Sequence, residues 1–578
     1  MAENDLYSGV KAPGTREFTL RAVITGIVVA VIMGASYPYV VLKLGFGPNV
    51  SVVAAFFGYL FLGLLFRNFN RWENNIVQSA GTSAAQTAFM CVILAAFDLV
   101  SQNPKLHYSF APTPFQAFLW LTFGSILGIL MAVPLRRHYI VDEKLTFADG
   151  VAAAETVIVL DARGADARAG AWALGLATVA SAGVWLMTTK WGGNLLPEIL
   201  FASMGGLTVP AMAAGFGVSL LGLGSGMIVG NRINISMAIG GVIAWIIGPK
   251  LLCPDIVKIE DRNHILLWMM WPGTGMLIAA GLTSLFLKWR TLARSFSAMS
   301  TKSIDSEEFP LAWVGIGVGV SAVGMVIVQY MFFDVPWWLT IIAVLLSGPL
   351  MLVGLRVLGE TNWGPISQLT NLTQAIFAAV APGNLTTNLA ASGTAGTIAV
   401  QSEAIMQVYK TGDMIGSTPK YLTYAQLIAA PVGAAAVALA YPLFKSTYGV
   451  GGETGLASPI SRRIEGFAEV LSSGSDALPQ YAMYALVIGA VLGILIAVGE
   501  TRWSKYLPSP TGLGIGMMVP GNVVFTMVLG GVGFSLWQRY NKTSADKLGM
   551  PLASGLIAGE AVMAIIIPVL IAIGLLSP

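Results

Sequence analysis

GTAGTIAVQSEAIMQVYKTGD, residues 393–413, has the composition of a membrane helix, yet Glu403 stands inside it, with Gln401 and Gln407 close by and a Lys-Thr-Gly-Asp tail. A second stretch, FADGVAAAETVIVLDARGADAR at 147–168, sets Glu155 in the same surroundings. What such a carboxylate costs depends on the solvent around the chain, and composition names that solvent. Of 578 residues, 55% are hydrophobic and only 11% charged, against roughly 25% charged in soluble proteins. Apolar windows of about 20 residues, the length that crosses a bilayer, recur from end to end. LRAVITGIVVAVIMGASYPYVVL, VSVVAAFFGYLFLGLLF, AGAWALGLATVASAGVWLM and EAVMAIIIPVLIAIGLL are clear cases. The chain reads as an all-α, polytopic integral membrane protein with no sizeable soluble domain.

About 16 spanning or half-spanning segments are expected, their edges interrupted by 66 glycines and 28 prolines. Basic residues collect after alternate segments: Arg67 and Arg71, then Arg136, Arg137 and Lys144, then the linker KWRTLARSFSAMSTKSIDSEEFP at 288–310. The positive-inside rule makes these loops cytoplasmic. MAENDLYSGVKAPGTREF, ahead of the first apolar stretch, lacks the apolar core and cleavage site of a secretory signal, so a retained, cytoplasmic N-terminus is expected. Cys91 and Cys253 adjoin apolar segments and indicate no disulfide framework. With a net charge of only +3 held in short loops, no nucleic-acid partner is indicated.

The linker divides the chain into an N-terminal transmembrane half, residues 1–300, and a C-terminal half, residues 311–578. The halves resemble each other weakly. YVVLKLGFGPNVSVVAAFFGYLF at 39–61 lies on VGLRVLGETNWGPISQLTNLTQAIF at 353–377, so that Lys43 faces Arg356 and Gly47-Pro48 faces Gly364-Pro365. SAGTSAAQ at 79–86 echoes AASGTAGT at 390–397, and a glycine follows each glutamate at the same distance, Gly164 after Glu155 and Gly412 after Glu403. The shared order predicts an internal duplication. Residues 146–160 are too short an apolar run to cross, with Lys144 before and Arg163 and Arg168 after, which predicts a re-entrant or broken helix. Paired, interrupted segments of this kind mark the midplane site of transporters.

An ionised Glu in hydrocarbon costs several kcal/mol, and protonation removes that cost. Glu155 and Glu403 are therefore candidates to take up a proton on one side of the membrane and release it on the other. The structural alternative is a carboxylate paired with a nearby Arg or seated at a wetted helix end. Glu560, in ASGLIAGEAVM, carries the same ambiguity, and Glu500 beside Arg502 reads as a membrane-edge ion pair. Polar stripes add to the picture. Asn75, Gln78, Ser79, Thr82 and Gln86 recur at three- and four-residue spacing, on one helix face. Ser367, Gln368, Thr370, Asn371 and Gln374 make a second stripe, and Gln407 lies one turn beyond Glu403. Such stripes serve either hydrogen bonding between close-packed helices or a wetted cavity. Three in one chain favour a cavity, and amides, as donors and acceptors, suit a zwitterionic, peptide-like solute. Lys43, Arg232 and Arg356 are candidates to hold its carboxylates.

His107, His138 and His264 show no metal-ligand spacing, so no metal site and no cofactor are indicated. LGLGSGMIVG lacks the Lys and strand context of a phosphate loop and reads as close packing or a bend. Nothing in the sequence pairs a nucleophile with a base, which argues against an enzyme. A passive facilitator or channel for a small zwitterionic solute stays open, and a carrier of bare metal ions is disfavoured by the scarcity of buried Asp, His and Cys.

GFGVSLLGLGSGMIVGNRINISMAIGGVIAWIIGPKL resembles a signature of the oligopeptide transporter family, which includes the yellow-stripe-like metal-chelate carriers. EFTLRAVITGIVVAVIMGASYPYVVLKLGFGPNVSV, YKTGDMIGSTPKYLTYAQLIAAPVG and PLASGLIAGEAVMAI resemble further blocks in the same order, from about residue 17 to about residue 575. The resemblance implies duplicated halves, a secondary transporter driven by proton symport through alternating access, and uptake of small oligopeptides or peptide-like metal chelates. It also implies a homodimer. The Asn-Pro-Gly motif of the eukaryotic peptide branch is missing, residues 103–105 being Asn-Pro-Lys. The short chain and small loops look bacterial, which places the protein in the inner (plasma) membrane.

Overall fold

The structure is a computed structural model that describes residues 15–44, 50–66, 69–161, 165–197, 199–200, 215–248, 262–287, 307–361, 364, 366–451, 455–473, 481–503, 506–572 and 575–576. It is built of helices, as a lipid-embedded backbone requires, because a helix satisfies its own N–H and C=O groups. The first are α1 (Leu20–Leu44), α2 (Val50–Leu65), α3 (Arg71–Phe89), α4 (Cys91–Gln102), α5 (Pro114–Ala132), α6 (Ala148–Asp161) and α7 (Ala165–Thr188). Next come α8 (Leu220–Val229), α9 (Asn231–Val242), α10 (Arg262–Leu287), α11 (Leu311–Phe333), α12 (Trp337–Thr361) and α13 (Ile366–Val380). The last are α14 (Leu385–Ile415), α15 (Pro419–Tyr448), α16 (Pro459–Ser473), α17 (Ala482–Trp503), α18 (Pro510–Met518), α19 (Gly521–Tyr540) and α20 (Lys542–Ala572). The one sheet among the described residues is a two-residue antiparallel pair, Ile199–Leu200 with Phe216–Gly217.

Among the described residues seven helical runs are long and apolar enough to cross a membrane, and others are shorter apolar helices such as Val50–Leu65 and Leu220–Val229. Full and partial spans therefore coexist, as the sequence leads one to expect. Three runs are broken. α3 and α4 part at Met90, α8 and α9 at Gly230 with φ of 88°, and α18 and α19 at Val519-Pro520. At Gly230 the positive φ explains the residue, since an L side chain is strained there. Pro520 ends α18 because it cannot continue the helical ladder.

Two of these broken helices are copies of each other. SLLGLGSGMIVGNRINISMAIGGV at 219–242 aligns without a gap on SPTGLGIGMMVPGNVVFTMVLGGV at 509–532. The local structure repeats with it. Ser219 Oγ accepts the Gly222 N–H, and Ser509 Oγ accepts the Gly512 N–H, so each run starts with the same cap. Each copy then packs on the other: α8 lies against α19 and α9 against α18. Gly226 faces the Met527 carbonyl as its counterpart Gly516 faces that of Met237, with no room for a Cβ at either. α7 packs along α20 and α10 along α17 in the same reciprocal manner. An internal two-fold relation generates this set of pairings.

That order corrects one expectation. α6 immediately precedes α7, as α16 immediately precedes α17, so the helix of Glu155 answers to α16 and not to the helix of Glu403. The two segments also differ in form. α6 has 14 residues, about 21 Å at 1.5 Å per residue, too short for a hydrocarbon core of about 30 Å. α14 has 31 residues without a break, about 46 Å. The expected joint at 288–310 lies mostly outside the described residues, as do Gly47, Pro48, Gly164, Pro365 and Cys253.

Candidate functional site

Glu403 sits well inside α14, and the surrounding backbone is shaped to admit its carboxylate. Gly364, just before α13, leaves no room for a Cβ because the Glu403 carboxylate occupies that space, and Gly354 of α12 approaches Oε1 in the same way. Glu403 is 7% exposed, and its Oε1 has no hydrogen-bond partner. No basic side chain pairs with it among the described residues. The carboxylate is enclosed and uncompensated.

Amides flank it along α14. Gln401 Nε2 donates to the Ser83 carbonyl at 2.9 Å and to Thr87 Oγ1 at 2.6 Å. Gln407 Oε1 accepts the Gly150 N–H at 2.6 Å, while Thr411 Oγ1 donates to the Gly150 carbonyl at 2.9 Å. The first turn of α6 is thus clamped onto α14, and a Cβ at Gly150 would strike the Gln407 carbonyl. Gln407 spends its oxygen on helix docking.

The other expected polar positions divide between packing and open valence. Asn75 Nδ2 donates to Ser417 Oγ at 2.8 Å and Gln78 Nε2 to Thr82 Oγ1 at 3.2 Å, yet Asn75 Oδ1 and Gln78 Oε1 are buried without partners. Gln374 Nε2 reaches the Ile464 carbonyl at 3.2 Å, and its Oε1 is unpaired. Neither side-chain atom of Asn371 or of Gln426 has a partner. Gln86 is half-buried. The side chain of Gln368 lies outside the described residues. Unpaired amide groups are costly when buried, and here they concentrate on α3, α13 and α15.

Glu560 differs from Glu403 in every respect but burial. It is 1% exposed, and Lys43 Nζ stands 2.6 Å from Oε1. Ser219 Oγ donates to Oε2 at 2.8 Å and the Leu221 N–H at 3.1 Å. The carboxylate caps the start of α8, where backbone N–H groups and the helix dipole favour negative charge. Lys43 also donates to the Tyr39 hydroxyl at 3.3 Å, and Trp185 Nε1 donates to that hydroxyl at 3.2 Å. Glu155 is exposed on α6.

The three cations expected to hold substrate carboxylates already face carboxylates of the chain. Lys43 pairs with Glu560, Arg232 with Glu500, and Arg356 with Glu143, which also lies 3.1 Å from His138 Nε2. Glu500 thus pairs across helices with Arg232, correcting the expected pairing with its neighbour Arg502. Sequence reasoning passed over two further groups. Asp98 is buried and receives the Tyr441 hydroxyl and Lys445 Nζ, the latter at 2.7 Å. Arg463 is buried with Nε and Nη2 unpaired. The adjacent pair Arg462-Arg463 in an otherwise amphipathic segment was the available signal, since one carboxylate cannot easily serve both.

Broken, repeat-related helices and buried unpaired polar groups in a polytopic helical bundle are features that membrane transporters use. The sequence matches the family described as OPT oligopeptide transporter protein over residues 17–571, and the chain belongs to that family. It is similar to the metal-nicotianamine transporter YSL2 of Arabidopsis thaliana, 23% identical over 621 residues that cover 95% of this chain and 92% of the relative. It is also similar to the iron-phytosiderophore transporter yellow stripe 1 of Zea mays, 23% identical over 642 residues covering 97% and 93%. The protein is a multi-pass membrane transporter and not an enzyme.

Proposed function

We propose that the protein is a secondary active transporter that takes up small oligopeptides or peptide-like metal chelates together with protons, by alternating access. The observation that carries the reading is Glu403, a buried carboxylate with an unpaired oxygen on α14, a long helix enclosed by the rest of the bundle and rich in amides and small residues. Its charge is costly there. Taking up a proton removes the cost, so occupancy by a proton can be linked to which way the site opens. Glu560, compensated by Lys43 and two hydrogen-bond donors, is a weaker proton carrier, and Glu155, on the surface of α6, is not enclosed by the fold. Relatives named as carriers of metal–nicotianamine and iron–phytosiderophore support a chelate of amino-acid type. Assembly as a homodimer in the plasma (inner) membrane belongs to the same proposal and rests on the family resemblance.

The test is uptake into proteoliposomes holding the purified protein, with iron(II)–nicotianamine and a mixture of tripeptides offered with and without an inward proton gradient. Accumulation above the external concentration that requires the gradient, and is lost in Glu403→Gln, is the expected result. Uptake that only equilibrates and ignores both pH and Glu403→Gln would leave a passive facilitator.

A further inference from the structure

We propose that Arg463, together with Asn371 and Gln374, forms the subsite that grips a carboxylate of the transported solute. The proposal rests on the reading above for the kind of solute. Its structural basis is independent of Glu403.

Arg463 is 3% exposed, and its Nε and Nη2 have no hydrogen-bond partner. A guanidinium removed from water without a counter-charge is among the most unfavourable groups a fold can hold. The carboxylates on the same helix do not supply one. Glu465 Oε2 accepts from Arg462 Nη1 at 3.2 Å, and Asn103 Nδ2 lies 3.3 Å from Glu465 Oε1 and 3.2 Å from Glu469 Oε2. Among the described residues Arg463 forms no ion pair.

Its position on α16 shows why. Ser461 Oγ donates to the Val92 carbonyl at 2.7 Å, and Glu465 meets Asn103, so positions 461 and 465 face α4 and its end. Arg463 is two residues from each, about 160° round the helix at 100° per residue. The acidic side of α16 is turned to α4, and Arg463 is turned away from it. The next residue, Ile464, gives its carbonyl to Gln374 of α13. On α13, Asn371 lies one turn before Gln374, 1% exposed, with neither its amide nitrogen nor its oxygen bonded.

α16 packs on α13, and the two helices carry a buried cation and a buried amide donor, both with unused valence. A carboxylate is the complementary group. It accepts two parallel N–H bonds from a guanidinium and can take another from an amide. A peptide C-terminus and the carboxyl arms of an amino-acid chelator both present it, whereas a bare metal cation would be repelled. Arg463 differs in this from Lys43, Arg232, Arg356, Lys445 and its neighbour Arg462, each of which meets a carboxylate of the chain.

The experiment uses the full chain in nanodiscs and proteoliposomes, comparing wild type with R463Q, R463K and R463M. The probes are tri-alanine, tri-alanine amide, iron(II)–nicotianamine and tricarballylate, with chloride and inorganic phosphate as controls. The expected result is a rise of about tenfold or more in KM for tri-alanine in R463Q, as loss of a charged hydrogen bond implies. Maximal rate should stay near wild type, the amide should be unaffected, and R463K should recover part of the loss. Because R463M removes an uncompensated charge, its unliganded Tm should equal or exceed that of wild type, which separates lost binding from failed folding. Undiminished preference of R463Q for the free acid over the amide would overturn the proposal. So would stabilisation of wild type by chloride or phosphate as large as by tricarballylate. Should wild type transport neither peptide nor chelate, the transport reading fails. The anchor is then still decided by whether tricarballylate raises the Tm of wild type but not of R463Q.

Discussion

Glu403 and Glu560 sit on helices of the same length, 31 residues each, and both are buried. One is met by a lysine, a serine hydroxyl and a backbone N–H, the other by two glycines that merely stand aside. The difference lies in what each helix crosses. α20 passes the end of α1 and the start of α8, where a cation and free N–H groups await a carboxylate. α14 passes α12 and the entry to α13, where glycines make room for the carboxylate and no described cation pairs with it, Arg356 of α12 being paired with Glu143. Burial alone therefore says little about a membrane carboxylate. Partners decide whether it is a fixed charge or a group able to exchange a proton.

Four substitutions probe that comparison. The largest effect is expected on function: Glu403→Gln should abolish gradient-driven accumulation while leaving Tm within a degree or two of wild type, because the amide keeps the shape and has no charge to compensate. Loss of both uptake and folding would put Glu403 in the same class as Glu560. The largest effect on stability is expected from Glu560→Leu, which strands Lys43 and should destabilise by on the order of 3 kcal/mol. The double variant Lys43→Met/Glu560→Leu should recover most of it. Thermal unfolding in detergent reads both, and a double variant no better than the single one would show that the α8 cap matters more than the ion pair.

Gly364→Ala comes next. The new methyl must displace the Glu403 carboxylate, at about 1–3 kcal/mol, and pairing it with Glu403→Ser should relieve the clash. Equal penalties in the two backgrounds would mean that the glycine serves the backbone and not the carboxylate. The smallest effect is expected from Gln407→Leu, which removes the acceptor for the Gly150 N–H at about 1–2 kcal/mol. Faster hydrogen exchange at the first turn of α6, with uptake retained, would mark Gln407 as a docking residue. Loss of uptake with unchanged exchange would return it to the transport path.

Much of this was readable in advance. Composition and window length identified a polytopic helical membrane protein, since lipid leaves the backbone few other choices. The cost of a charge in hydrocarbon singled out Glu155, Glu403 and Glu560 as residues in need of a reason. Of these the fold buries Glu403 and Glu560 but leaves Glu155 on the surface of α6. α3 is buried nearly all round, with Asn75, Gln78, Ser79 and Thr82 enclosed and Gln86 half-buried, so burial does not set the stripe apart from the rest of the helix. The pairing of Glu155 with Glu403 misread the repeat, because a common glycine offset in a glycine-rich chain carries little information. A stronger repeat, 219–242 against 509–532, was present in the sequence and ties the helices in another order.

The sequence by itself determined the class of molecule, the helical state of its segments and which residues would be expensive to bury, because those follow from transfer free energies and backbone valence, which are local. Only the tertiary structure decided which expensive residues are compensated. Lys43 meets Glu560 across almost the whole chain, Arg232 meets Glu500 in place of a nearer partner, and Arg463 and Glu403 meet no opposite charge among the described residues. Charge compensation acts over a few ångströms in space. Nothing in linear order records which groups folding brings that close.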